Sequence, residues 1–124
     1  MRRPSRSVTA TGILAGAVLA AFAAMGQDAV HLSGEMMIGG ATLVDPPAGE
    51  AKNTHAYLTI TGPAALRLYR SLPAAEEDDL CRGDGRKMRR AGTLSCSINP
   101  RGQEATCDFG IDLRSGTLAG GRPC

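Results

Sequence analysis

The chain has 124 residues, with 14 Lys+Arg against 12 Asp+Glu, four Cys, no Trp and only four Phe and Tyr together. That length accommodates one domain. Arg2, Arg3 and Arg6 account for the formal charge of +2, since the 98 residues from Gln27 onward carry 11 basic and 12 acidic groups. The net charge therefore gives no support to nucleic-acid binding, and the scarcity of aromatics removes the stacking platforms that single-stranded nucleic acid requires.

Residues 1–7 are basic and lack an acid, and Gly12–Ala24 is an apolar run of 13 residues. A membrane-spanning helix needs about 20 such residues, whereas the core of a signal peptide needs about 7 to 15. Small residues follow at peptidase spacing, in Ala21-Phe22-Ala23 and Ala24-Met25-Gly26. Residues 1–26 are expected to be a signal peptide cut before Gln27, with cleavage before Ala24 as second choice and an uncleaved helix as the alternative. The chain is then expected to be exported, periplasmic or secreted, with no transmembrane helix after cleavage.

Residues 27–53 are rich in Gly, Met and Pro and are broken by Asp45-Pro46-Pro47-Ala48-Gly49. They read as a linker or loosely docked arm with room for one short edge strand. Met36 and Met37 are expected to fill gaps in the core, because no third soft ligand lies near them to make a metal site. His55–Thr61 alternates, with Ala56, Leu58 and Ile60 on one face and His55, Tyr57, Thr59 and Thr61 on the other, which predicts a half-buried strand. Gly62-Pro63 then opens a helix over Pro63–Leu72, where Ala65, Leu68, Tyr69 and Leu72 recur at helical spacing and Pro73 ends it.

Pro73–Ala91 reads as a 19-residue connection, holding the acidic run Glu76–Asp79, then Cys81, then Arg82, Arg86, Lys87, Arg89 and Arg90. A connection of that length needs an anchor, which Cys81 can supply. Gly92–Ile98 and Ala105–Leu113 both alternate around the turn Asn99-Pro100-Arg101-Gly102 and predict a hairpin, with Cys96 and Cys107 on its apolar side. Thr117–Ala119 and Gly120–Cys124 form a tail that a bridge at Cys124 would pin.

Cys81, Cys96, Cys107 and Cys124 lie 14 to 16 or 10 residues apart, without the close pairs of a zinc site and without a nearby His. Two disulfides are expected instead, in a chain where Leu, Ile, Val and Phe supply only 17 of the 98 residues after position 26 and a thin core needs staples. Loop logic prefers Cys81–Cys96 with Cys107–Cys124, each closing about 15 residues for roughly 3 kcal/mol. The competitor is Cys96–Cys107, directly opposed across the hairpin, with Cys81–Cys124. The expected fold is α+β: residues 54–124 form one helix packed on a small antiparallel sheet, stapled by two disulfides.

Leu58-Thr59-Ile60-Thr61-Gly62-Pro63-Ala64-Ala65, then Leu68-Tyr69 and Leu72, then Cys81, Lys87, Gly92, Leu94, Cys96 and Cys107 carry a resemblance. Over Thr54–Leu113 the chain resembles uncharacterised small exported proteins of Gram-negative bacteria, with a strand, a helix opened by Gly-Pro and a Cys-bearing hairpin. The resemblance implies export and a disulfide-bonded α+β domain, and it carries over no functional residue.

Three functions compete. The leading expectation is a non-catalytic exported binding or accessory module, inhibitor-like, acting on an envelope protein, glycan or lipid partner through a stapled surface. Arg82, Arg86, Lys87, Arg89 and Arg90 would supply its charge complementarity. The second is an anion-binding envelope protein that recognises glycan or lipid phosphate through the same 82–90 loop; in both cases the adjacent acids compete for these bases. The third is a small hydrolase using His55 with Ser95 or Ser97 and with Asp108 or Asp112 nearby. It lacks a G-x-S-x-G elbow and a Gly-rich oxyanion loop, so solvated strand residues are the expectation there and no catalytic residue is assigned. Calcium spacing from Asp78 or Asp79 fails, because the twelfth position is Arg89 or Arg90. No cofactor is expected, and Arg82-Gly83-Asp84 is too short a match to an adhesion tripeptide to carry weight.

Overall fold

The computed structural model describes residues 28–124; the expected signal peptide lies outside the described residues. Seven strands and one helix follow in chain order: β1 (Ser33–Gly39), β2 (His55–Thr61), α1 (Gly62–Ser71), β3 (Glu77–Asp78), β4 (Lys87–Ala91), β5 (Leu94–Ile98), β6 (Ala105–Asp112) and β7 (Leu118–Ala119). They form a single antiparallel sheet in the order β1-β2-β6-β5-β4-β3, with β7 taking the stretch of β6 that β5 leaves free. The α+β architecture anticipated from the sequence is the one observed. Among the described residues no helix is long and apolar enough to cross a membrane.

The alternation of β2 decides the layering. Leu58 and Ile60 face α1, which returns directly over the sheet because Gly62 adopts φ +68°, a conformation open to residues without a Cβ. Pro63 sits in the first turn, where its missing N–H costs nothing, and the helix stops at Leu72, whose N–H bonds back to Leu68 O at 3.1 Å before Pro73. Ten residues would not hold a helix in water. Burial of Ala65 and Tyr69 against Ile60, Cys96, Ile98, Ala105 and Cys107 holds this one.

Cys96 and Cys107 are register partners on β5 and β6, both at 0 % exposure under α1, and they form one disulfide. Cys81 and Cys124 form the other, on the far side of the sheet. The preferred pairing of Cys81 with Cys96 and Cys107 with Cys124 is thus corrected. The two inner thiols meet across one ladder step, and a bridge from Cys96 to Cys81 would have to cross the sheet.

Four further expectations change. The arm 27–53 contributes a full seven-residue edge strand, paired along its length from Ser33↔Thr61 to Gly39↔His55. Met36 and Met37 are not core: they are 66 % and 40 % exposed on that edge. The connection 73–91 contains β3 and β4, whose alternation is hidden because Lys87, Arg89 and Arg90 fill strand positions and only Met88 is an apolar marker. β2, expected to be half-buried, is buried on its polar face too, with His55, Tyr57 and Thr59 at 9 %, 5 % and 8 % exposure. The Tyr57 hydroxyl donates to Gly40 O at 2.6 Å, docking the arm loop there, and the segment 120–124 covers the rest.

Candidate functional site

The sheet face opposite α1 collects the polar side chains of β2, β5 and β6. The register pairs Thr59 with Asp108 and Asp108 with Ser95, and Ser97 with Thr106, all pointing away from the helix. Two irregular segments lie over them, the loop 79–86 and the tail 120–124, joined by Cys81–Cys124. Between them is a cleft of about 370 Å³. Asp79, Arg82, Ser95, Ser97, Asp108 and Arg122 line it.

A continuous polar chain runs across this face from the β1 edge to the loop. Glu35 lies 3.8 Å from Arg122, whose guanidinium donates to Thr59 Oγ1 at 2.6 Å. Thr59 donates to Asp108 Oδ1 at 2.7 Å, and Arg82 donates to Asp108 Oδ2 at 2.9 Å. Arg82 Nε is also 3.9 Å from Asp79 Oδ2. The tail lies close because Gly121 carries no side chain: a Cβ there would sit 2.8 Å from Asp108 Cβ.

Asp79 organises the loop and is only 3 % exposed. Its Oδ1 accepts the N–H groups of Cys81 and Arg82, each at 3.1 Å, closing an Asx-type turn. Burial works against ionisation, but the Ser97 hydroxyl, the Arg82 and Cys81 N–H groups and the Arg82 charge outweigh it and hold the carboxyl below its ordinary value. Ser97 Oγ accepts from Arg86 Nε at 3.0 Å. Asp79 Oδ2 is buried in the cleft wall, and no described residue donates a hydrogen bond to it.

The five bases expected to form a binding patch are dispersed and engaged. Arg82 pairs with Asp108 and Asp79, and Arg86 with Ser97. Lys87 meets Asp78 at 2.5 Å, which raises its pKa, and Arg90 meets Glu77 at 3.4 Å. Arg89 lies on the helix face, 5.1 Å over the Tyr69 ring, donates to Leu72 O at 3.0 Å and approaches Glu76 at 4.0 Å. Each of the four acids Glu76–Asp79 therefore has one of these bases as a partner. Arg82 alone of the five lines the cleft.

The hydrolase constellation does not assemble. His55 is level with Asp112, and Ser95 is level with Asp108, four residues further along β6; at the usual rise this is roughly 13 Å. His55 Nδ1 shares a hydrogen bond of 2.9 Å with Thr54 Oγ1, and its ring lies against Tyr57 with centroids 6.0 Å apart. Asp112 is lowered chiefly by the Arg114 N–H, with a smaller contribution from His55. Among the described residues no group of three His, Cys, Asp or Glu side chains is placed to hold a metal ion.

Thr59, Glu35 and Arg122 escaped the sequence reading of the site. The parity of β2 and β6 already placed Thr59 and Asp108 on one face, but Arg122 reaches that face only through the bridge at Cys124. Comparison with protein-family models, with curated proteins and with solved structures finds no match for this chain.

Proposed function

We propose that the protein is an exported, non-catalytic binding module that grips a partner in the cell envelope at the clasped cleft. Two disulfides fit an oxidising compartment, and the basic, apolar segment 1–24 followed by small residues fits export. The observation that carries the binding reading is Asp79 Oδ2, a buried carboxylate oxygen to which no described residue donates a hydrogen bond, in the wall of a cleft that is itself preorganised by a covalent bridge. A buried acceptor left unpaired costs about 1 to 3 kcal/mol, so a ligand donor that reaches Oδ2 when the half-exposed Arg82 side chain beside it shifts recovers that energy. Asp79 and Asp108 balance Arg82 and Arg122, so the cleft is neutral and suits neither a free anion nor a free cation. A neutral group with both a donor and an acceptor fits, and in a protein partner that group is an amide.

The test uses Ser95→Phe, which fills the cleft from a position that makes no side-chain hydrogen bond to another described residue, beside the double variant Lys87→Glu/Arg90→Glu on the adjoining strand. Capture from envelope extract, followed by titration of the isolated partner, should show binding by the wild type and the double variant and none by Ser95→Phe. Binding retained by Ser95→Phe and lost in the double variant would move the site to the basic strand and overturn the cleft reading.

A further inference from the structure

The two edges of the sheet are built differently. At one, β3 has only two residues, and the ion pairs Lys87–Asp78 and Arg90–Glu77 crowd it with charge, the usual means of blunting an edge. At the other, β1 presents seven residues, Ser-Gly-Glu-Met-Met-Ile-Gly, with a single charge. Met36, Met37 and Ile38 are 66 %, 40 % and 47 % exposed there. No strand among the described residues pairs with the outer side of β1.

Register fixes which backbone groups of β1 are free. Cys96 and Cys107 stand with Cα atoms 4.0 Å apart, the narrow spacing of a non-hydrogen-bonded pair. The N–H and C=O of Cys107 therefore point to β2, where its partner is Ile60. Ile60 is then turned away from β1, and its partner there, Gly34, directs its own N–H and C=O outward. By alternation Met36 and Ile38 do the same, while Glu35, Met37 and Gly39 bond inward. The Thr54 N–H accordingly meets Gly39 O at 3.0 Å on the inner side.

We propose that this edge pairs with the same edge of a second copy of the chain, antiparallel, about a two-fold axis at Met37. Outward-facing Met36 then meets Ile38 of the second copy on either side of the axis, forming two hydrogen-bonded pairs, and Met37 meets its own equivalent. The three exposed apolar residues of each copy cover one another. Glu35 falls opposite Gly39, so the two Glu35 carboxylates stand four positions apart, roughly 13 Å, each beside its own Arg122. A two-fold pairing closes on itself, and the blunted β3 edges become the ends of the joined six-strand paths.

The experiment is sedimentation over a concentration series with the protein recovered after export, alone and as Met36→Pro. Proline at 36 removes an N–H that points outward, so it costs no β1–β2 bond, whereas Met37→Pro removes an inward one and serves as the unfolding reference. The expected result is a reversible dimer for the wild type, weakened by at least about tenfold in Met36→Pro, with circular dichroism and melting unchanged. Should Met36→Pro melt early, Ile38→Lys provides the same test by setting a charge against Met36 of the second copy. In addition, Met37→Cys should give a disulfide-linked dimer through the narrow pair at the axis. A wild type that is monomeric throughout, including one whose outer β1 amides are protected by its own N-terminal segment, overturns the proposal. So does a dimer that survives unchanged in folded Met36→Pro, or an edge occupied by a different protein while the chain alone stays single.

Discussion

Removing the outer clasp with Cys81→Ala/Cys124→Ala isolates what the bridge contributes, since both residues are exposed and neither substitution opens a core cavity. The bridged residues are 43 apart in sequence. The chain-entropy relation assigns such a loop about 4 kcal/mol, reduced by only a few tenths because the 11-residue Cys96–Cys107 loop is nested within it. For a domain of this size that is a fall in Tm on the order of 15 to 30 °C. Urea denaturation is the assay: the midpoint should fall and the slope m should rise, because the unfolded chain without the bridge exposes more surface. Amide exchange in residues 118–124 should accelerate as the tail leaves Asp108. A loss below about 1 kcal/mol with those amides still protected would refute the reasoning. It would mean that Arg122 on Thr59 and the fit of Gly121 against Asp108 hold the tail without covalent help.

Tyr69 is buried and hydrogen-bonded to Glu76, and burial first, then that carboxylate, pushes its phenol up to about 12; Tyr57 is also raised, by burial and then Glu50. These are the only two tyrosines, so a spectrophotometric titration should show little tyrosinate at pH 10 in the folded protein and about half in denaturant. The neutral Tyr69 phenol stabilises the fold fully below pH 10, and about 3 kcal/mol of that is lost as pH rises from 10 to 12. Half-ionisation of the native protein at pH 10 would contradict this. Asp79→Ala leaves the Cys81 and Arg82 N–H groups without their acceptor and should cost about 1 to 3 kcal/mol at pH 7 by urea denaturation. Because the Asp79 carboxyl is held low in the fold, its contribution is present above the unfolded value near 4, and the gap to wild type should close as pH falls below it. Arg89→Lys keeps the charge but loses the planar group over Tyr69 and should destabilise by about 1 kcal/mol by thermal melting; no change would assign the contact to charge alone.

Local patterns in the sequence revealed β2, α1 and the β5–β6 hairpin to within one or two residues, because each combines a clean period with a marked boundary: Gly62-Pro63 for the helix, Asn99-Pro100 for the turn. β4 was illegible for a physical reason. A strand near a sheet edge can carry Lys87, Arg89 and Arg90 when Asp78, Glu76 and Glu77 stand opposite, and such a strand has no apolar alternation to detect. The pairing of Cys96 with Cys107 is within reach of the sequence, since both share one parity across a defined turn; loop length alone points elsewhere because it treats the chain as featureless between thiols. The cleft was hidden for another reason. Asp79 reads as one acid in a run of four, and only the fold turns it inward while Glu77 and Asp78 remain in solvent. Arg122 has no local signal at all, as its position depends on a bridge spanning 43 residues.

The two bridges lie on opposite faces of one hydrogen-bonded sheet, the inner sealed beneath α1 and the outer open to solvent. The sheet therefore acts as an insulating partition for thiol chemistry. Exchange requires a thiolate to reach a disulfide sulfur directly, and in the folded chain neither Cys81 nor Cys124 has a path to the sulfurs of Cys96 and Cys107. A thiol reductant can open the outer bridge and a disulfide oxidant can reclose it repeatedly without scrambling, whereas in the unfolded chain all three pairings compete and the 15-residue Cys81–Cys96 loop closes more readily than the native outer one. A sheet formed before the tail docks leaves Cys81 and Cys124 only each other as partners.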